Sequence, residues 1–182
     1  MMKTVLYVLR LSLTLLLITA LAAAGLAWVN EITKDAIAEN QMAKTRLALA
    51  EVLPGAENMN IVDEGNGIVQ AVYAPSAESP VQGWAVLVAP GSGFGGEIRM
   101  MVGISPEGQV TGISIIKHAE TPGLGAVAAA QTPAGEEFRD SFLGDSGTLM
   151  LEDIDAISGA TITSKAVTSG VNAALEYIKS LG

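Results

Sequence analysis

The chain has 182 residues and a net charge of −9, enough for one ordinary domain and an appendage. It has no cysteine and a single histidine. That excludes disulfides, iron–sulfur clusters, thiolate zinc, thiol nucleophiles and a lipoprotein anchor, and a histidine-built metal site is not expected. All 19 acids lie beyond residue 29, against eight bases there, so nucleic acid is not an expected partner. Redox chemistry has to come from an organic cofactor or from a partner.

Residues 11–29, LSLTLLLITALAAAGLAWV, carry no charge. As a helix they span about 28 Å, close to a hydrocarbon core of about 30 Å. Lys3 and Arg10 precede the run and Trp28 closes it, which predicts a cytoplasmic N-terminus and a single-pass anchor in the cell membrane with the remaining chain outside the cytoplasm. Ala22-Ala23-Ala24 offers the alternative of a cleaved signal, but the run is longer than a signal core of about 7–15 residues. Residues 31–52 have apolar positions near helical spacing and predict a helix that continues from the span, with Pro54-Gly55 as its stop. The expected organisation is an anchor over 1–30, a connecting helix over 31–56 and a domain over 57–182.

Four strands are predicted, over residues 68–73, 83–89, 97–104 and 110–117, the last two joined by the turn Ser105-Pro106-Glu107-Gly108. Met100 and Met101 read as core. The glycine-rich loop at 91–96 has neither the spacing of a dinucleotide fingerprint nor the lysine of a P-loop. Residues 118–125, HAETPGLG, read as a tight turn after a strand. A short alanine-rich helix is expected next, then a helix over 136–143 with Phe138 and Phe142 on one face. Val167, Val171, Ala174, Leu175 and Ile178 form the apolar stripe of a final helix.

At the start of that helix stands Ser158-Gly159-Ala160-Thr161-Ile162-Thr163-Ser164. Local physics offers two readings. In one, Thr163 or Ser164 is an N-cap and Gly159 a turn residue. In the other, the free N–H groups of the first turn hold a phosphate, and a nearby hydroxyl is esterified by it. Nothing local chooses among Ser158, Thr161, Thr163 and Ser164.

Asp155, Ser158-Gly159-Ala160-Thr161 and Thr163 together resemble the flavinylation motif of FMN-binding domains. Paired with the upstream Glu120-Thr121-Pro122-Gly123-Leu124-Gly125, behind one N-terminal span, they are similar to the G subunit of the Rnf ion-translocating ferredoxin:NAD⁺ oxidoreductase complex. The resemblance implies an α+β fold, with a small, mostly antiparallel sheet and flanking helices behind a transmembrane helix. It implies one covalent FMN per chain, attached by a flavin transferase that takes FMN from FAD, and other subunits of a membrane redox complex as partners. By the same resemblance Thr161 carries the phosphoester. Ser158, Gly159, Ala160, Thr163 and Ser164 surround it, and Glu120, Thr121, Gly123, Leu124 and Gly125 cradle the ring. The family often has Gly-Tyr-Gly-Gly-Pro where this chain has Gly93-Phe94-Gly95-Gly96-Glu97, so Phe94 is assigned no contact. His118 and Lys165 read as surface residues. The C subunit of the Na⁺-translocating NADH:quinone reductase shares both motifs and is the alternative, as is a tethered FMN-binding sensor that passes no electrons.

Overall fold

The computed structural model describes residues 2–53, 59–74 and 83–181, with side chains from residue 5 onward. Pro54, Gly55 and the expected boundary at 56/57 lie outside the described residues. The chain divides into two compact units, residues 1–43 and 44–182.

Helix α1 (Met2–Val52) is unbroken. It contains no proline and one glycine, and is rich in alanine and leucine, the best helix formers. It is long and apolar enough to cross a membrane, and the side chains of its apolar run are exposed in the protein itself. The two threonines inside the run turn their hydroxyls back onto the helix: Thr14 donates to the Leu11 carbonyl at 2.8 Å and Thr19 to that of Leu15 at 3.0 Å. Both threonines therefore meet the demand of a hydrocarbon phase that polar groups be satisfied within the helix.

The second unit is built on a five-stranded sheet of β1 (Asn60–Asp63), β2 (Val69–Ala74), β3 (Trp84–Val88), β4 (Arg99–Ile104) and β5 (Val110–Lys117). The strands lie in sequence order and every pairing is antiparallel. Four of the five coincide with the strands read from sequence. Strand β1 is additional: it is a four-residue, largely exposed edge with two apolar residues between Asn60 and Asp63, too short to show a period of two.

Both faces of the sheet are covered. On one, Val72, Val86, Val88, Met100 and Val102 join the main core beneath α3 (Thr161–Leu181). On the other, Ala71, Ala85, Leu87 and Met101 pack against Ala48, Leu49, Val52 and Leu53. The alternation of side chains along a strand sorts these residues between the faces, and double coverage explains why the strands read as nearly continuous apolar runs. On the face that meets the end of α1, Gly103 and Gly112 lie directly against Val52. A Cβ on Gly103 would overlap the Val52 carbonyl, and Thr111 donates to that same carbonyl at 2.7 Å.

The alanine-rich segment is a 3-10 helix over Gly125–Ala129. Helix α2 covers Pro133–Asp140 rather than 136–143. Thr132 caps it by accepting the Gly135 N–H, and Pro133 occupies the first turn, where its missing N–H costs nothing. Phe138 and Phe142 meet edge to face at 5.4 Å. The five stripe residues of α3 are all buried, and Tyr177 near its end donates to the Asp63 carboxylate of β1 at 2.5 Å.

Candidate functional site

The two motifs, more than thirty positions apart in sequence, meet at one cavity of about 310 Å³, at the lower end of the range for small-molecule sites, about 300–1,000 Å³. Three segments line it. The glycine-rich loop supplies Phe94. The turn after β5 supplies Glu120, Thr121, Leu124 and Gly125. The start of α3 supplies Gly159 through Thr163. Phe94, Leu124 and Ile162 all keep substantial exposed apolar surface there, which suits the face of a flat aromatic ligand.

The start of α3 differs from the capping reading. The helix begins at Thr161, so Thr163 and Ser164 lie inside its first turn and neither is the N-cap. The Ala160 carbonyl accepts the first helical bond, from the Ser164 N–H at 3.0 Å. Ser164 is fully buried and faces backward: its hydroxyl donates to the Ala160 carbonyl and accepts the Ile157 N–H. Gly159 makes the turn into the helix with φ of +75°, a left-handed conformation that suits glycine. A Cβ there would stand 3.3 Å from the Leu124 side chain, so the two motifs touch at this point.

The four candidate hydroxyls separate by environment. Thr161 is exposed and lines the cavity. Ser158 is exposed but does not line it. Thr163 is 1% exposed and its hydroxyl donates to Glu120 Oε2 at 2.6 Å. Ser164 is committed within the helix start. The amides of the first turn of α3 precede the reach of its internal bonding, so they and the helix dipole present positive potential beside Thr161.

Glu120 is buried, not a solvated acid. Its Oε1 accepts the Gly95 N–H at 2.9 Å and its Oε2 the Thr163 hydroxyl. Its own N–H donates to Nδ1 of half-buried His118 at 3.2 Å. Gly125 fits against this pair because a Cβ would overlap both the carboxylate and the Thr163 hydroxyl. Gly123 takes φ of +76° at the exposed tip of the turn and does not line the cavity. Thr121 holds the turn closed through its carbonyl, which accepts the Leu124 and Ala126 N–H groups. Met100 and Met101 are core, and Lys165 is exposed outside the cavity. Phe94, given no role from sequence, is 69% exposed at the cavity. The signal available for it is an aromatic ring isolated among glycines.

A wider groove, of about 780 Å³, runs along α3 from Lys165 to Glu176 and is lined by neither motif. Among the described residues no three acids or histidines gather as a metal site.

Comparison with known proteins covers both units. A family model described as an FMN-binding domain matches residues 93–176, and one described as an RnfG N-terminal region matches residues 1–52. The chain is 36% identical to the G subunit of the Na⁺-translocating ferredoxin:NAD⁺ oxidoreductase complex of Acetobacterium woodii, across 96% of this chain and 93% of that one. It is 33% identical to the G subunit of the ion-translocating oxidoreductase complex of Methanosarcina acetivorans, across 93% of each. The G subunit of the corresponding complex of Pseudomonas aeruginosa is 30% identical over 87% of this chain and 83% of its own length.

Proposed function

The chain belongs to the G-subunit family of ion-translocating oxidoreductase complexes, and from this premise we infer that it is a membrane-anchored electron-transfer subunit whose FMN is esterified to Thr161. It is a single-pass membrane protein that works with the other subunits of such a complex. Its residues fit the cofactor. Leu124, Phe94 and Ile162 offer apolar contact to a ring, and the N-terminal turn of α3 offers N–H groups and dipole to a phosphate. When bound, the flavin supplies the electron-carrying chemistry, and the protein supplies orientation and electrostatics.

The observation that carries the choice of Thr161 is exposure. Of the hydroxyls in the motif, Thr161 alone is both exposed and in the cavity wall. Thr163 and Ser164 are buried and already bonded. In the attachment step Thr161 Oγ1 forms a new bond to the FMN-side phosphorus of FAD. The phosphoanhydride breaks, AMP leaves and the hydroxyl proton passes to the transferase or solvent. The chain needs no acid–base pair of its own, and an ester prevents loss of the cofactor from a domain outside the cytoplasm. The basic residues before the span support that orientation.

The test is Thr161→Val in the full chain, co-expressed with a flavin transferase. The variant is expected to fold and insert without covalent flavin, while mass spectrometry of the wild type finds one FMN phosphoester on the peptide containing Thr161. Flavin retained on the denatured variant overturns the assignment.

A further inference from the structure

We propose that Glu120 is a positioning residue for attachment of the flavin: its carboxylate binds the first turn of α3 to the glycine-rich loop, and so presents Thr161 and Phe94 to the same cavity. The inference rests on the reading of Thr161 as the attachment residue.

Each bond of the Glu120 side chain ends beside a residue of the cavity wall. Oε1 accepts from Gly95, the neighbour of Phe94, and Oε2 accepts from Thr163, two residues after Thr161. Gly125, the neighbour of Leu124, closes over the carboxylate with no room for a side chain. The glycine-rich loop is held equally tightly, since a Cβ on Gly95 would overlap the Ala119 carbonyl. The glycine-rich loop, the turn after β5 and the start of α3 are thus joined at one buried group, 7% exposed.

A carboxylate is a poor choice for packing alone. Burial of a charge is unfavourable unless bonds compensate it, and an apolar residue of similar volume often gives equal or greater stability. What two acceptor oxygens provide, and an apolar side chain does not, is a fixed direction for each partner. The 2.6 Å separation from the Thr163 hydroxyl lies in the range of a charge-assisted O–H···O⁻ bond. Both oxygens are engaged by the protein, so Glu120 acts on Thr161 through Thr163 and the helix turn.

The experiment measures the initial rate of covalent flavin incorporation into purified full-length chain in detergent, with a purified flavin transferase and FAD. Glu120→Ala is expected to slow incorporation about tenfold or more, since small misplacements of a reacting group can cost up to about 10²-fold. Glu120→Gln is expected to restore a rate close to wild type: its amide oxygen accepts the Gly95 N–H and its nitrogen donates to a reversed Thr163 hydroxyl. Labelled to completion, the Gln variant should keep the wild-type flavin absorption spectrum and the Ala variant should not. If Glu120→Ala fails to fold, Thr163→Val removes the same bond from the other side and Thr163→Ser retains it, and the Val variant alone should be slow. Wild-type rates in folded Glu120→Ala or Thr163→Val overturn the proposal, as does a Gln variant as slow as the Ala variant. A wild-type chain labelled at a residue other than Thr161 refutes instead the attachment reading beneath it.

Discussion

The hydroxyl of Thr163 donates to Oε2 of Glu120 at 2.6 Å, joining residues 43 positions apart inside the protein. Thr163→Val keeps the shape and leaves a buried acceptor without its partner, a loss of about 1–3 kcal/mol. Thr161→Val, at an exposed position two residues earlier, should change stability by no more than about 0.5 kcal/mol. Denaturant unfolding of the two variants, both without flavin, checks the difference. Equal stabilities would mean that the Thr163 bond contributes nothing.

The link between Tyr177 and Asp63 predicts a pH dependence with a sign at each end. The Tyr177 hydroxyl, and then the Gly65 N–H, hold the Asp63 carboxyl below its ordinary value, while the Asp63 carboxylate pushes the Tyr177 hydroxyl up. A lowered acid contributes stability that is fully present above about pH 4 and is lost as pH falls through the folded-state value. A raised phenol contributes stability that is present below about pH 10 and is lost as pH rises through its folded-state value. Tyr177→Phe should therefore lower stability most at neutral pH and flatten both limbs of the stability–pH curve. Parallel curves for variant and wild type would remove this link from the account.

The stripe of α3 is legible in the sequence because five apolar residues at helical spacing leave one choice of buried face, and all five are buried. The strands are legible because both faces of the sheet are covered, so their apolar runs are dense. Strand β1 is not, since an exposed edge of four residues carries no periodic signal. The start of α3 resists sequence reading because Ser158, Thr161, Thr163 and Ser164 are all plausible caps by composition, and only the backbone reveals that the helix begins at Thr161. Glu120 is legible as a member of a motif but not as a buried group. Its partners lie 25 and 43 positions away, and an isolated acid in a turn ordinarily meets water. Phe94 escapes sequence reading for a similar reason: the loop that carries it reaches the cavity only through the fold.

The anchor makes a prediction about sidedness. Lys3 and Arg10 precede the apolar run, and cationic flanks remain on the cytoplasmic side. Protease added to intact spheroplasts should digest the domain beyond residue 53, whereas a cytoplasmic control protein should survive. Digestion that requires permeabilised membranes would reverse the orientation.

Leu124 and Phe94 test how the cavity treats a ring, apart from how it attaches one. Both line the cavity, Leu124 is 45% exposed and Phe94 69%, and neither side chain can hydrogen-bond to the hydroxyls of the motif. Removing either side chain should leave the anchoring of Glu120 to Gly95 and Thr163 intact, so covalent flavin should still form on Leu124→Ala and Phe94→Ala. What changes is the apolar surface available to the ring. Loss of that surface admits water to the flavin, and solvation favours whichever redox state carries more charge. The expected outcome is wild-type flavin content, a shifted absorption band and a midpoint potential displaced toward the more charged form. The Leu124 variant should show the larger change, because the Leu124 side chain also lies next to Gly159, two residues before Thr161. Spectroelectrochemical titration of the labelled variants measures both quantities. If spectrum and potential remain at wild-type values in both, the ring lies elsewhere than in this cavity.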